Sequence, residues 1–232
     1  MKVLHISDLH YRKKIEGGNP YEDMLSSMDS SFDRLKKIMN HVLAENRIDL
    51  TVISGDICDE GSAEDYADVK AYLDSLQIPY VLCLGNHDVR SSFYEGWFHE
   101  ADQGPYLSEY ETGGISWISF DNSEHGLPNG IVEESRLQWL DEKLQKDIPS
   151  VVIMHHQFDD RPGIPSLTGK EALISLLHKR KPLCVLNGHT HWAEKKKIDG
   201  ILCLTAPSVS FRAINTEEGS VIFYQSQGYA IY

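Results

Sequence analysis

Short apolar runs recur along the chain, and most of them stop abruptly at a glycine or a polar residue. Runs of four or five residues that are rich in valine, leucine and isoleucine predict strands buried on both faces. Five such runs occupy residues 2–6, 50–54, 80–84, 150–154 and 183–186. A strand of this kind belongs in a parallel sheet covered by helices, so the pattern predicts an α/β fold.

Segments with helical periodicity lie between these strands. From residue 30 to residue 45, apolar side chains recur every three or four positions and form one stripe. Similar but shorter patterns predict helices at residues 63–76, 92–99, 133–144 and 170–178. The alternation of strand and helix predicts βαβ units and therefore a parallel sheet.

The remaining segments predict antiparallel strands and loops. Residues 106–111 and 115–120 flank Gly113-Gly114, which predicts a hairpin. Further strands are predicted at 193–198, 201–204, 220–225 and 229–232, whereas residues 11–23 are predicted to form a loop interrupted by Gly17-Gly18-Asn19-Pro20. No repeat or linker divides the chain, so we expect a single domain over residues 1–232. Two mixed sheets packed face to face, with helices outside, would use all of these elements.

Composition narrows the possible partners. The chain has 232 residues, of which 41% are hydrophobic, and its formal net charge is -13. An acidic surface repels a phosphate backbone, which disfavours extended nucleic-acid binding, although a small site that holds metal cations would reverse the sign locally. The first strand begins at residue 2, and neither a signal-peptide pattern nor a membrane-length apolar run is present. We therefore expect a cytoplasmic protein with no membrane partner.

Polar side chains follow the predicted strands at the places where ligands bind in α/β proteins. Five strand ends carry possible metal ligands: Asp8 and His10; Asp56; Asn86 with His87; His155; and His189 with His191. Residues i and i+2 of a strand point to the same side. If the chain stays extended there, Asp8 with His10 and His189 with His191 form two ligand pairs.

The ligand types indicate which metals such a site would hold. Carboxylates combined with imidazoles suit Mn, Fe or Zn better than Ca²⁺ or Mg²⁺, which prefer oxygen ligands. Setting His87 aside, seven candidate ligands remain. They are too many for one ion and fit two ions bridged by a carboxylate, about 3.5–4 Å apart as in two-metal hydrolases.

The order of these motifs resembles that of a known family. Asp-x-His at Asp8, Gly-Asp at Asp56, Gly-Asn-His-Asp from Gly85, a histidine at His155 and Gly-His-Thr-His from Gly188 together resemble the calcineurin-like metallophosphoesterases. The resemblance implies a four-layer αββα sandwich with a dinuclear metal site. Each motif is common alone, but their combination is specific.

A finer resemblance concerns one branch of that family. Gly55-Asp56 through Glu64, His155-His156 and Ala206-Pro207-Ser208 are similar to motifs of the class III cyclic-nucleotide phosphodiesterases. Gln157 departs from this pattern, because a proline is expected after the paired histidines.

The family resemblance implies a role for each motif residue. It assigns Asp8, His10 and His191 to the first metal, Asn86, His155 and His189 to the second, and Asp56 to a bridge between them. It makes His87 a catalytic residue that faces the substrate and protonates the leaving oxygen, oriented by Asp59 or alternatively by Asp88. The two ions would neutralise phosphate oxygens and lower the pKa of a bridging water, and the resulting hydroxide would attack phosphorus in line.

Further residues have less specific assignments. His156 follows His155 directly and is expected to point the other way, where it would support a metal ligand or touch the substrate. Asn86 and His87 are also expected to contact the substrate, and Arg90 and Arg212 lie in segments from which they could clamp a phosphate.

We therefore predict a dinuclear metal-dependent phosphohydrolase, first of all a phosphodiesterase on small substrates such as cyclic nucleotides. The alternatives are a phosphomonoesterase or protein phosphatase with the same metals, and a non-catalytic scaffold of this fold. A scaffold would have lost ligands or His87, and all are present. The segment between His155 and His189 is too short for a large cap, so the site is open or is completed by a neighbouring subunit of a homo-oligomer.

Overall fold

The computed structural model describes residues 1–160, 167–215 and 221–232. Six helices lie in these ranges: α1 Pro20–Ser26, α2 Ser31–Glu45, α3 Ala63–Ser75, α4 Arg90–Phe98, α5 Glu134–Lys143 and α6 Lys170–Arg180. The strands are β1 Val3–Ile6, β2 Leu50–Ser54, β3 Tyr80–Cys83, β4 Leu107–Thr112, β5 Ile115–Phe120, β6 Ser150–Ile153, β7 Cys184–Asn187, β8 Glu194–Ile198, β9 Ile201–Thr205, β10 Phe211–Asn215, β11 Val221–Gln225 and β12 Ala230–Ile231.

Two mixed sheets form the centre of the molecule. The first has the order β12-β1-β2-β3, in which β1, β2 and β3 are parallel and β12 is antiparallel. The second has the order β4-β5-β6-β7-β9-β8, with parallel pairing from β5 through β9. Strands β10 and β11 form a separate hairpin. Both sheets therefore have parallel centres, whose carboxyl ends are the expected place for a site.

The buried side chains define four layers. Helices α2, α3 and α4 pack on the outer face of the first sheet, and α5 and α6 pack on the outer face of the second. Between the sheets lies a third apolar cluster, to which the first sheet contributes Val52 and Val81 and the second contributes Trp117, Val151 and Ile153. This αββα sandwich confirms the predicted fold class.

Most predicted elements are present. Two elements of the structure, α1 and β10, were not predicted. The segment predicted as a loop over residues 11–23 contains the start of α1, because Asn19 accepts a hydrogen bond from the Glu22 backbone and Pro20 occupies the first helical turn. Strand β10 was not predicted at all. The first residue of the predicted strand 220–225 lies outside the described residues.

Within the ranges described above, no helix combines the length and the apolar character needed to cross a membrane.

Candidate metal centre

The predicted ligands lie just beyond the carboxyl ends of strands in both sheets. Two groups of side chains converge there, Asp8 with His10 and His191, and His155 with His156 and His189. Within each group the possible ligand atoms are within 4.8 Å of one another. The fold therefore brings together residues that are up to 183 positions apart in the chain.

The first group is held in place by the segment after β9. His10 Nε2 lies 3.2 Å from His191 Nε2, and His191 Nε2 lies 3.3 Å from a carboxylate oxygen of Asp8. His191 Nδ1 donates a hydrogen bond to the Phe211 carbonyl oxygen at 2.6 Å, and the Ser208 hydroxyl donates to the Asp8 carbonyl oxygen at 3.0 Å. The bond from Nδ1 fixes the tautomer of the neutral His191 ring and leaves the lone pair on Nε2, as a metal ligand requires.

The second group shows the same arrangement. His155 Nδ1 donates to the Ser54 carbonyl oxygen at 2.8 Å, so when the ring is neutral its Nε2 carries the lone pair that faces the group. The backbone N–H groups of His155 and His156 both donate to the Asn122 side-chain oxygen at 3.2 Å. Asn122 is fully buried and thus anchors both histidines. The motifs gave no signal for this asparagine.

Asp56 lies between the two groups. Its Oδ2 atom is 3.2 Å from His155 Nε2 and 3.5 Å from His10 Nε2. Burial alone would raise the pKa of Asp56, but the charges of His155, His87 and His10 outweigh it and hold that pKa well below the ordinary value. An ionised carboxylate therefore lies within 3.5 Å of a histidine nitrogen from each group.

The backbone at five of the predicted ligands is left-handed. The φ angles are 52° at Asp8, 46° at His10, 50° at Asp56, 70° at His189 and 63° at His191. The backbone is therefore not extended there. Asp8 and His10 still share one group, as predicted, but His189 and His191 point into different groups, so that predicted pair is wrong. Non-glycine residues adopt this conformation at a cost of about 1–3 kcal/mol each, and such strain concentrates at functional sites.

Gly188 allows the two sheets to approach each other behind the ligands. A Cβ atom at this position would lie 1.9 Å from Ser7 Oγ, 2.8 Å from the Ser54 carbonyl oxygen and 2.9 Å from Asp8 Oδ2. Because one of these neighbours is backbone, no side chain fits there.

The donor set fits metal cations. Asp8 Oδ2, Asn86 Oδ1 and His155 Nε2 are buried and make no hydrogen bond to any described residue. Unpaired buried polar atoms of this kind typically destabilise a protein by about 1–3 kcal/mol each, which a bound cation would offset. The two groups, with Asp56 between them, could therefore hold metal ions.

His87 pairs with a carboxylate that lies outside the two groups. Its Nδ1 lies 2.7 Å from Asp59 Oδ1, and its side chain is 35% exposed at the mouth of the site. Burial lowers the pKa of His87, but the carboxylates of Asp56 and Asp59 outweigh this and raise it to about 9. Asp88 instead accepts hydrogen bonds from the backbone N–H groups of Ile57, Cys58 and Gly85 and from the Tyr66 hydroxyl. It makes no hydrogen bond to the His87 ring.

Two aromatic residues, one beside His87 and one beside His191, were not predicted from the sequence. The ring of Tyr21, on α1, lies 6.4 Å from the His87 ring, and its hydroxyl donates to Asp59 at 3.3 Å. Phe211, the first residue of β10, packs against Tyr21 at 6.0 Å and against His191 at 4.6 Å. The Asn19-Pro20 helix start could have revealed α1, but nothing in the local sequence marked Phe211.

The two arginines suggested as phosphate clamps have other partners. Arg90 donates to Asp121 at 3.0 Å and to both carboxylate oxygens of Glu124 at 3.0 Å, which occupies its guanidinium. Arg212 lies with its guanidinium carbon 4.9 Å from the centre of the Trp192 ring. Both clamp assignments therefore stay predictions, and for Arg90 a phosphate would have to compete with Asp121 and Glu124.

Comparison with known proteins identifies the family. A family model described as calcineurin-like phosphoesterase matches residues 1–193. A probable cyclic nucleotide phosphodiesterase of Rhodococcus erythropolis is 26% identical over 230 residues, covering 94% of this chain and 74% of the relative. A probable glycerophosphodiester phosphodiesterase of Arcobacter nitrofigilis is 30% identical over 228 residues, covering 90% of this chain and 79% of the relative.

Solved structures show the same fold. A dimetal phosphatase from Danio rerio superposes with a TM-score of 0.67 at 20% identity, covering 90% of this chain and 87% of that chain. The fold and the two ligand groups are those of a metal-dependent phosphoesterase. The family-model match then settles membership: the chain belongs to the calcineurin-like phosphoesterase family and is a phosphoric ester hydrolase.

Proposed function

We propose that this protein is a dinuclear metal-dependent phosphodiesterase that acts on small phosphodiesters, with cyclic nucleotides as the leading substrate class. The observation that carries the proposal is the position of Asp56, whose Oδ2 lies within 3.5 Å of a histidine nitrogen from each ligand group. Relatives named as probable cyclic nucleotide and glycerophosphodiester phosphodiesterases support the preference for diesters.

The proposed metal ligands are those of the two groups. Asp8, His10 and His191 would hold one ion, Asn86, His155 and His189 the other, and Asp56 would contact both. Mixed carboxylate and imidazole ligands favour Mn, Fe or Zn. When bound, such ions neutralise phosphate charge and lower the pKa of a coordinated water.

His87 is the proposed general acid. Asp59 binds its Nδ1, so the ring is oriented with Nε2 available to the leaving oxygen of the substrate. A proton delivered from Nε2 would remove the need to expel an alkoxide, an effect worth about 10²–10⁴-fold in rate. Proton transfer of this kind matters most for a diester whose leaving group is a poorly acidic alcohol.

The organic part of the leaving group would lie against Tyr21 and Phe211. Both rings are next to His87 or to the ligand His191. An aromatic surface of this kind binds apolar or planar groups and carries no charge that would attract a polyanion. It therefore suits a nucleoside or another small organic substituent better than an extended polyanion.

Hydrolysis of bis(p-nitrophenyl) phosphate beside p-nitrophenyl phosphate tests the proposal. With Mn²⁺ added we expect turnover of the diester to exceed that of the monoester, and a chelator to abolish both. A panel of cyclic nucleotides would then identify the natural class. Preference for the monoester would contradict the proposal in favour of a phosphomonoesterase, and absence of both turnover and metal binding would favour a scaffold.

A further inference from the structure

Strand alternation predicts that His156 points away from the site. Its ring instead lies beside those of His155 and His189. The chain bends at residues 155 and 156 after β6 ends, so the in–out alternation of a strand does not apply there. The His156 ring lies 4.4 Å from the ring of His189 and 5.0 Å from that of His155, between ring centres. All three imidazoles offer a nitrogen within 4.8 Å of the other two.

The hydrogen bonds of Ser123 fix the tautomer of His156. The Ser123 hydroxyl donates its one proton to the Leu84 carbonyl oxygen at 3.0 Å, so it can only accept from His156 Nδ1, which lies 3.3 Å away. His156 therefore carries its proton on Nδ1 and a lone pair on Nε2. This is the arrangement already seen in His155 and His191, whose Nδ1 atoms donate to backbone carbonyls.

The lone pair on Nε2 has no protein partner. His156 is 2% exposed, and its Nε2 is buried without a hydrogen bond to any residue that the structure describes. Leaving a buried acceptor unpaired is unfavourable by about 1–3 kcal/mol. A neighbouring cation would satisfy it.

The His156 ring is also held in one position. Gly130 has a φ of +65°, and a Cβ atom there would lie 2.6 Å from His156 Nδ1 and 2.5 Å from the Asn122 carbonyl oxygen. The Asn122 side-chain oxygen accepts from the His156 backbone N–H at 3.2 Å. Contacts on both the ring and the backbone orient a ligand in the way that metal sites require.

We propose that His156 Nε2 binds directly to the metal ion held by His155 and His189. The inference rests on the proposed two-metal centre and adds to it a third imidazole at the second position. The first group has two imidazoles and the carboxylate of Asp8. The second position would then favour Zn²⁺ or Co²⁺ over Mn²⁺ more strongly than the first, because imidazole suits those metals and carboxylates suit Mn²⁺.

Cobalt titration tests this assignment. The visible absorption of protein-bound Co²⁺ depends on the number and type of its ligands, so it reports on coordination without any substrate. In the His156→Ala variant we expect one of the two Co²⁺ ions to bind at least about 10-fold more weakly, with an altered spectrum for that ion, since even an outer partner of a ligand typically changes affinity 10–100-fold. The other ion should bind as in the wild type.

Two further variants make the result specific. His178→Ala removes an exposed histidine on α6 and should leave both affinities and the spectrum unchanged. Ser123→Ala removes the acceptor of the His156 Nδ1 proton without altering His156 and should weaken the same ion by a smaller factor. Thermal unfolding of each metal-free variant checks the fold, and His156→Gln replaces His156→Ala if the latter does not fold.

The possible outcomes separate this inference from the proposed function. Two Co²⁺ ions in the wild type, with unchanged affinity and spectrum in folded His156→Ala, would overturn the ligand role and leave the two-metal centre intact. Equal weakening of both ions would also overturn it, since a ligand of one ion acts on that ion first. Fewer than two ions in the wild type would instead contradict the dinuclear centre itself.

Discussion

The ring of His87 has a different kind of hydrogen-bond partner from those of His155 and His191. His155 and His191 donate their Nδ1 protons to neutral carbonyl oxygens and turn Nε2 towards the ligand groups. His87 instead places Nδ1 2.7 Å from the carboxylate of Asp59. An imidazole paired with a carboxylate is stabilised in its protonated form, which suits a general acid.

A general acid is recognised by the leaving groups for which it is needed. His87→Ala should slow hydrolysis of a methyl or other alkyl phosphodiester by about 10²–10⁴-fold and slow the p-nitrophenyl diester much less, because p-nitrophenolate leaves without a proton. Asp59→Asn should show the same pattern to a smaller degree. The measurement is kcat for both substrates at fixed metal content. An equal loss for both leaving groups would contradict the assignment.

At the residue scale, the sequence identified the ligand types but not their local geometry. The motifs named Asp8, His10 and His191, yet the positive φ angles of all three were not foreseen. Motif order reports which side chains meet, whereas backbone conformation just past a strand depends on partners such as the Ser208 hydroxyl. The direction of His156 was wrong for the same reason.

At the scale of elements, helix α3 has the clearest local support. The Ser62 side chain accepts from the Asp65 backbone N–H, and the Asp65 carboxylate accepts from the Ser62 backbone N–H at 2.8 Å. This reciprocal capping box satisfies two backbone donors that the helix leaves unpaired. The helix start was predictable because these groups lie only three residues apart.

Removing the cap should lower stability without affecting catalysis. Ser62→Ala is expected to reduce the free energy of unfolding by about 1 kcal/mol, measured by urea denaturation, with unchanged kcat. Ser75→Ala is a matched control in the same helix, because the Ser75 hydroxyl donates to the Tyr72 carbonyl and caps no N-terminus. A similar loss in both variants would show that the cap contributes nothing particular.

The two elements that sequence reasoning missed both support the site. Helix α1 carries Tyr21, and β10 supplies the Phe211 carbonyl that binds His191. Both are short segments, in which a few polar residues or a nearby glycine pair hide the pattern. Long buried strands such as β2 were predictable because five consecutive residues are buried, which leaves a continuous apolar run in the sequence.

At the scale of the whole molecule, one histidine outside the metal groups couples folding to pH. His5 is fully buried in β1, with Nε2 2.8 Å from the Ser54 hydroxyl and Nδ1 unpaired among the described residues. Burial lowers the pKa of His5 to about 3, although the charge of Asp8 opposes the shift. The unfolded chain therefore binds a proton near pH 6.5 that the folded protein does not take up.

The sign of the effect on stability follows from this difference. As pH falls from 6.5 towards 3, the unfolded state gains the proton and folding loses about 1.4 kcal/mol per pH unit. Between pH 7 and pH 5, His5 should account for about 2 kcal/mol of lost stability. Urea denaturation of metal-free wild type and His5→Gln measures the difference, with His178→Gln as the exposed control. Parallel pH curves for wild type and His5→Gln would refute this origin.

The layered fold was predictable as a whole because the alternation of strands and helices extends over most of the chain. The packing of the two sheets against each other could not be predicted from any single segment. It depends on a shared apolar layer to which β2 contributes Val52 and β6 contributes Val151, and on the close approach of Gly188 to Ser54. Contacts between residues so far apart in sequence leave no local pattern.

Metal stoichiometry measured together with diester hydrolysis tests the central claim most directly. Chelator-treated protein should regain hydrolysis of bis(p-nitrophenyl) phosphate as Mn²⁺ or Zn²⁺ is added and should reach full activity at two ions per chain, whereas Asp56→Ala should lose both ions together. Full activity at one ion, or retention of one tightly bound ion by Asp56→Ala, would contradict a dinuclear centre bridged by Asp56.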